Sequence, residues 1–231
     1  MFSLANSGMG SGGQYQSIQQ YLDIPNFIDY MITNYYVGNS DWAHQNWYAT
    51  RSRVNPESRW RYHSWDAEHV MEGITWDSTG RNNSGGPTRL HNRLIDNTEY
   101  RMLFADHVHR HFFNDGILTP QGAMNLYQIR SNEVDRAVVG ESARWGDNHR
   151  STPYTRDVEW IRERDWLNRE YFPQRKAIVL NQFKNRRWYP NVDAPDFGIN
   201  GAYQYGGEIS SEDSLSMNAP TGTIYYTLDG S

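Results

Sequence analysis

Residues 39–68 predict a β-hairpin with polar side chains at its open end, and the rest of the chain has to fold around it. The runs 46–51 and 59–63 are rich in aromatic residues and have strand character. The segment between them contains proline, asparagine and serine, which favour a chain reversal. A hairpin brings its outer ends together, so residues on either side of it are expected to be neighbours.

Three oxygen-bearing side chains flank this predicted hairpin. Asp41 and Asn46 lie at its beginning, and Asp66 follows its second strand. We expect the three side chains to converge on one cleft. Hard cations such as Mg²⁺ take oxygen ligands, often one or two carboxylates together with substrate phosphates. Asp66 and Asn46 are therefore candidate metal ligands, and Asp41 is a candidate proton acceptor.

The interval between Asp41 and Asn46 is that of a protein-kinase catalytic loop, where the aspartate orients the attacking hydroxyl and the asparagine holds metal. In that arrangement a second aspartate, here Asp66, binds the ion that bridges the phosphates. The same residues also suit a structural role, with Asp41 and Asp66 capping helical segments and Asn46 satisfying a turn. The spacing alone leaves both interpretations open.

A family resemblance favours the catalytic interpretation. Its motifs are the segments 26–42, 46–48, 65–68, 140–147 and 188–190, which include Asp41-Trp, Asn46-Trp-Tyr and Trp65-Asp-Ala-Glu. Together they resemble the CotH family of spore-coat and bacterial surface kinases over roughly residues 21–190. This resemblance implies an atypical protein-kinase-like fold that phosphorylates proteins with ATP and a divalent metal ion, Mg²⁺ or Mn²⁺. It also suggests a location at the bacterial cell surface or outside the cell.

The resemblance implies a role for each site residue. Asp41 would be the catalytic aspartate, and Asn46 and Asp66 would bind the metal ion and its nucleotide. The implied partner is a protein substrate. Many relatives have aspartate where this chain has Glu68, so a metal-binding role for Glu68 stays open.

Charge is unevenly distributed along the chain. All 22 lysine and arginine residues lie at or before Arg187, whereas residues 188–231 contain six acidic residues and no basic one. This shift predicts a domain boundary near residue 190. Neither part carries the basic surface of a nucleic-acid-binding protein, and no apolar run is long enough to span a membrane. The predicted organisation is a flexible segment 1–20, a kinase-like lobe 21–190 and a β module 191–231.

The lobe is predicted to be mostly helical. Asp23, Pro25 and the apolar spacing predict a helix over 24–37 that ends at Gly38. Further helices are predicted over 15–23, 88–95, 97–114, 119–141, 156–171 and 173–186. Of the histidines in the 97–114 helix, only His107 and His111 share a face. Hydrogen-bonded or surface histidines are favoured there over a zinc site, since no metalloprotease pattern is present.

Two other features leave alternatives open. The polar loop 76–87 is either a mobile surface loop or a substrate-facing loop with Arg81 available to a phosphate. Glu141, Arg144 and Asp147 around Trp145 are expected to form a buried ion-pair and capping network, with a substrate role as the alternative.

The end of the chain is predicted to be a truncated β-sandwich. Short strands are predicted over 207–209, 214–219 and 222–231, and residues 223–231 resemble a strand of the immunoglobulin-like module at the C-terminus of chitobiases and β-hexosaminidases. Such a module needs about seven strands. It offers contact with a cell-surface glycan or protein.

The two lysines, Lys176 and Lys184, lie far downstream of Asp41, and few residues precede it. A kinase needs a glycine-rich loop and a phosphate-binding lysine. The chain is therefore expected to be a catalytic lobe that is inactive, or nearly so, without an upper lobe.

The predicted fold class is α+β: the mostly helical lower lobe of an atypical kinase-like fold with a β-hairpin at the active site, and a truncated β-sandwich tail. The predicted function is transfer of the ATP γ-phosphoryl group to a protein hydroxyl. The alternative is a non-catalytic bacterial surface or structural module that binds a protein or glycan. Enzymatic activity is therefore left open.

Overall fold

The computed structural model describes residues 1–148 and 150–227. The chain divides into two compact units, Met1–Tyr189 and Pro190–Ser231. The first unit is α+β and consists mainly of helices around one small hairpin. Its elements are α1 (Phe2–Asn6), α2 (Gly12–Gln19), α3 (Ile24–Tyr36), β1 (Trp47–Thr50), β2 (Arg61–Ser64), α4 (Pro87–Leu94), α5 (Thr98–Phe112), α6 (Pro120–Trp145), α7 (Ile161–Trp166) and α8 (Phe172–Asn185). Two π-helical segments, Arg156–Trp160 and Leu167–Tyr171, flank α7.

Helix α3 is the central element of this unit. Its N-cap is Asp23, whose Oδ1 accepts a hydrogen bond from the backbone N–H of Asn26 at 3.1 Å. Nine of its thirteen residues are buried. The helix is followed by Gly38, whose φ of +61° is a left-handed conformation that glycine adopts without steric cost. The predicted helix over 24–37 is confirmed.

An aromatic core surrounds α3. The buried Trp42 packs edge-on against Tyr30 and Tyr35, with ring centroids 5.9 Å and 5.5 Å apart. Tyr35 also contacts Phe183 of α8 and Trp188, at 5.7 Å and 5.5 Å. Edge-to-face aromatic pairs stabilise a core beyond the area that they bury. Helix α3 and the segment that follows it are therefore held on several sides.

The predicted hairpin is confirmed. Strands β1 and β2 are antiparallel, with Trp47 opposite Ser64. The side chain of Asn26 fixes the hairpin to the start of α3, because its Oδ1 accepts from the backbone N–H of Tyr62 at 2.7 Å and its Nδ2 donates to the Tyr62 carbonyl at 3.4 Å. The ring of Tyr62 stacks on Trp47 at 5.4 Å. The hairpin therefore has a fixed position on α3.

The N-terminal segment differs from the expectation of flexibility. Helix α1 forms where a flexible segment was predicted, whereas α2 overlaps the helix predicted over 15–23, and Met9 between them is 0% exposed. The buried amide of Asn97 donates to the Met9 carbonyl at 3.0 Å, and Arg89 donates to the side chain of Asn6 at 3.1 Å. The buried Met9 thus anchors the glycine-containing segment. The composition of the segment alone does not indicate this burial. The domain limits 1–20, 21–190 and 191–231 stay a prediction.

The later helices follow the sequence prediction, but one predicted network is wrong. Helix α6 extends to Trp145, four residues beyond the expected end. The side chains of Glu141, Arg144 and Asp147 are exposed, so they do not form a buried ion-pair network. Arg144 instead lies over the exposed ring of Trp145, 5.0 Å from its centroid. No helix among the described residues is long and apolar enough to cross a membrane.

The second unit contains a three-stranded antiparallel sheet in the order β4-β3-β5. Its strands are β3 (Asp196–Ile199), β4 (Ala202–Tyr203) and β5 (Leu215–Asn218). The predicted strand over 214–219 is confirmed, whereas residues 207–209 and 223–227 are not strands. Residues 228–231 of the last predicted strand lie outside the described residues. The immunoglobulin-like identity of this unit stays a prediction.

Candidate active site

The loop that follows α3 carries Asp41 and is held from the helix side by buried amides. The Nδ2 of Asn39 donates to Oδ1 of Asn34 at 3.0 Å, and Asn34 in turn donates to the carbonyl of Tyr30 at 2.9 Å. The Oδ1 of Asn39 accepts from the backbone N–H of Asp41 at 3.0 Å. Since Asn34 and Asn39 are both buried, this chain of hydrogen bonds fixes the Asp41 backbone relative to α3.

Three further contacts hold the loop from its other side. The backbone N–H of Ser40 donates to the carbonyl of His69 at 2.9 Å, and Nη2 of Arg81 donates to the carbonyl of Ser40 at 2.6 Å. Gly86 approaches Ala43 so closely that a Cβ on Gly86 would collide with the Ala43 carbonyl oxygen. Arg81 thus braces the Asp41 loop, a role that sequence reasoning missed when it considered Arg81 for phosphate binding.

The Asp41 carboxylate accepts hydrogen bonds from its own loop. Nε2 of Gln45 donates to Oδ1 and Oδ2 at 2.8 Å and 3.0 Å, and Nδ2 of Asn46 donates to Oδ2 at 3.0 Å. Nε2 of His44 lies 3.7 Å from Oδ1. The Asp41 side chain is 29% exposed, and Gln45, which contacts both of its carboxylate oxygens, is exposed as well. Sequence reasoning missed Gln45 and His44, which have no signal other than their nearness to Asp41.

Asn46 connects the two ends of the hairpin. Its side-chain amide donates to Asp41, and its backbone carbonyl oxygen accepts from the backbone N–H of Trp65 at 3.1 Å. Asp66 is the next residue, and its side chain is exposed. Because Nδ2 of Asn46 is used toward Asp41, Oδ1 remains an acceptor of the kind that a hard cation takes. The hairpin thus links Asn46 directly to Asp41 and to the residue before Asp66.

Three non-glycine residues of this region have left-handed backbones. The φ angles are +76° at Ala43, +55° at Asn46 and +50° at Asp66. Asparagine and aspartate tolerate this conformation, whereas it is sterically unfavourable for alanine. Of the three, Ala43 is therefore the residue whose backbone conformation is sterically unfavourable. Residues with strained backbone conformations cluster at functional sites.

Glu68 belongs to an acidic group around His69. Nδ1 of His69 lies 2.8 Å from Oε1 of Glu72, and Nε2 lies 3.8 Å from Oε1 of Glu68. The hydrogen bond with Glu72 raises the pKa of His69, and the charges of Glu68 and Asp41 act in the same direction. Glu68 is thus engaged with His69, and its role toward a metal ion stays open.

The geometry described above falls within a region that matches a known family. The model of the CotH kinase protein family matches residues 2–178, so the chain belongs to the CotH family. The family implies the use of a nucleotide and a metal ion in general terms, and it suggests a protein as substrate. No curated protein and no solved structure was found to match the chain.

Proposed function

We propose that this chain carries the catalytic and metal-binding part of a CotH-type protein kinase, which transfers the γ-phosphoryl group of ATP to a protein hydroxyl. The observation that carries the proposal is the position of Asn46, bonded through its side chain to Asp41 and through its carbonyl to the residue before Asp66. A cell-surface or secreted location, as the family resemblance suggests, belongs to the same proposal.

In this proposal Asp41 orients the acceptor hydroxyl and accepts its proton, while the hydroxyl oxygen bonds to the γ-phosphorus and the bond from that phosphorus to the bridging oxygen breaks, so that ADP leaves. The fixed loop backbone supports this role, since positioning accounts for much of the catalysis of phosphoryl transfer. Gln45 and Asn46 hold the carboxylate in place before the hydroxyl arrives.

The residues present fit a hard divalent cation. Asp66 offers an exposed carboxylate, and Asn46 offers the amide oxygen that is not used toward Asp41. Mg²⁺ or Mn²⁺ would take its other ligands from water and the phosphates of ATP, as is usual for these ions. When bound, the ion supplies charge neutralisation at the phosphates.

Metal-dependent nucleotide binding is the primary test. Both lysines of the chain lie on α8, and neither belongs to the hairpin or the Asp41 loop. Nucleotide binding at the proposed site is therefore expected to rely on the metal ion. Electron paramagnetic resonance would follow Mn²⁺ binding to the chain with and without ATP. We expect Asp66→Asn to weaken Mn²⁺ binding at least 10-fold, because loss of even an outer-shell partner lowers metal affinity roughly 10–100-fold. Asp41→Asn should bind nearly as the parent does.

Phosphoryl transfer from radiolabelled ATP, measured after the chain has been joined to a kinase upper lobe, gives the second readout. Asp41→Asn should lower turnover about 10²–10⁴-fold, the range for loss of a general base. Asp115→Asn, which removes an exposed carboxylate of the α5–α6 connection, is the matched control. If Asp66→Asn binds Mn²⁺ and ATP as tightly as Asp115→Asn does, the site assignment is wrong.

A second candidate is binding of a glycan or protein partner without catalysis. Exposed aromatic rings support it: Trp145 and Tyr154 are 51% and 52% exposed and, with Trp160, line a cavity of about 560 Å³. The carboxylates of Glu159 and Glu163 lie at the same cavity. Loss of oligosaccharide binding in Trp145→Ala, with Mn²⁺ binding absent from the parent, would favour this function.

A further inference from the structure

Two helices of the first unit bring three potential metal ligands together. Asp29 lies on α3, and His107 and His111 lie one turn apart on α5. Oδ1 of Asp29 is 2.6 Å from Nδ1 of His107 and 2.8 Å from Nε2 of His111. Within residues 1–148 and 150–227, this is the one group of three histidine or acidic side chains whose ligand atoms all lie within 4.8 Å of one another.

We propose that Asp29, His107 and His111 form a binding site for a divalent transition-metal ion of the Zn²⁺ class. The site is separate from the proposed magnesium site, because its residues come from α3 and α5 rather than from the hairpin. It would cross-link α3, the helix that delivers the Asp41 loop, to α5. It does not depend on the proposed kinase function.

The ligand types select the metal. Two imidazoles and one carboxylate suit Zn²⁺ and neighbouring transition metals, whereas Mg²⁺ prefers oxygen ligands alone. Oδ1 of Asp29 accepts a hydrogen bond from both imidazoles, so the three potential ligand atoms already face one another.

A bound ion requires a modest outward shift of the ligands. Zinc lies about 2.0–2.2 Å from nitrogen and oxygen ligands, so two ligands of a tetrahedral site are about 3.4 Å apart. The observed N···O separations of 2.6 Å and 2.8 Å are shorter, and the half-exposed Asp29 side chain can move away from the histidines to make room for the ion. A bound ion would take the place of the proton on each ring nitrogen that faces Asp29, and in a neutral imidazole that proton would move to the other ring nitrogen.

Burial is graded across the group. His107 is 3% exposed, the His111 side chain is 22% exposed, and that of Asp29 is 43% exposed. The histidines are thus held by the core, while the Asp29 side gives an ion access from solvent and leaves room for water as a further ligand. Three protein ligands with an open position are a common arrangement for zinc.

Isothermal titration of the full chain with ZnCl₂ in a non-chelating buffer tests the site. We expect one ion per chain and a rise in Tm of about 5–10 °C when free zinc is roughly 100 times Kd. His111→Gln and Asp29→Asn should weaken zinc binding at least 10-fold, since even outer-shell partners cost roughly 10–100-fold. Two variants are used so that a folding defect in one, detected by circular dichroism, does not leave the question open.

Two controls complete the experiment. His109→Gln changes the histidine between His107 and His111, which instead contacts the hydroxyl of Tyr189 at 3.1 Å, and it should bind zinc as the parent does. Asp66→Asn should also keep zinc binding, which separates this proposal from the proposed kinase site. An absence of zinc binding in the parent, or equal affinity in the parent, His111→Gln and Asp29→Asn, would overturn the proposal.

Discussion

Nε of Arg175 donates a hydrogen bond to the carbonyl oxygen of Tyr36, the last residue of α3, at 2.6 Å. The same guanidinium donates to the carbonyls of Tyr35, Ile74 and Trp76 at 2.7 Å, 2.6 Å and 2.9 Å. Arg175 is buried, and its positive charge lies at the negative end of the α3 dipole. One side chain of α8 therefore joins the end of α3, just before the Asp41 loop, to the segment at residues 74–76.

Arg175→Met should strongly destabilise the first unit. It removes the guanidinium donor from four carbonyls. Those of Tyr35, Tyr36 and Trp76 keep a second donor, whereas that of Ile74 loses the donor described here. A single unsatisfied buried group already costs about 1–3 kcal/mol. Arg175→Lys should recover only part of the stability, because an ammonium group cannot reproduce the planar fork. Urea unfolding measures both, with the exposed Arg169→Met as the control. Equal free energies of unfolding for Arg175→Met and Arg169→Met would contradict the bracing role.

Gly86→Ala should displace the Asp41 loop. The added methyl group would collide with the backbone carbonyl of Ala43, which cannot move without moving its neighbours. Overpacking of this kind typically costs about 1–3 kcal/mol. The matched control is Gly140→Ala on α6, where a Cβ meets nothing within 4 Å. That change should stabilise the protein by up to about 1 kcal/mol. The expected opposite signs are checked by urea unfolding of the two variants.

Local patterns predicted the parts of the site that lie close together in sequence. The cap at Asp23, the stop at Gly38 and the aromatic hairpin each carry their own signal, so α3, β1 and β2 were predicted correctly. The bracing contacts of Arg81 and Arg175 join residues 41 to 140 positions apart, and nothing in the sequence marks them. Their partners are backbone carbonyls, which every residue has.

The turn between β3 and β4 has a clear sequence signal that did not enter the prediction of the tail. Asn200 and Gly201 both have positive φ, at +52° and +82°, and they connect β3 to β4. Asparagine followed by glycine between two strands is a strong signal for a two-residue hairpin turn. The strand predicted at 207–209 had only a short alternation in its favour, and the backbone there is irregular.

His91 should make stability fall with decreasing pH. It is buried among Tyr35, Phe104 and Trp188, its Nδ1 lies 2.9 Å from the hydroxyl of Tyr100, and burial lowers its pKa to about 3. The unfolded chain binds a proton at His91 below about pH 6.5, whereas the folded chain does not until about pH 3. The contribution of neutral His91 to the free energy of unfolding is therefore fully present above about pH 6.5. Below that pH it declines by at most about 1.4 kcal/mol per pH unit.

Urea unfolding of the parent and of His91→Asn between about pH 7 and pH 4.5 measures this effect. The variant cannot titrate at position 91, so its free energy of unfolding should depend less steeply on pH, even though it is less stable at pH 7. Parallel pH profiles of the two proteins would show that His91 does not contribute to the acid sensitivity.

Asn46 allows the backbone and the chemistry of the proposed site to be tested separately. Its φ of +55° suits asparagine and glycine but costs alanine about 1–2 kcal/mol. Asn46→Gly and Asn46→Ala both remove the amide that donates to Asp41 at 3.0 Å and that would supply a metal ligand. Asn46→Ala should therefore be about 1 kcal/mol less stable than Asn46→Gly in urea, since only the alanine variant carries the backbone strain.

The two variants should nevertheless lose Mn²⁺-dependent ATP binding to the same extent, because the missing amide oxygen is common to both. Electron paramagnetic resonance of Mn²⁺ measures the loss at a temperature where both variants are folded. If Asn46→Gly binds the metal and nucleotide as the parent does while Asn46→Ala does not, the position matters only for the backbone conformation. Asn46 would then be a turn residue, and Asp66 would have to hold the ion without it.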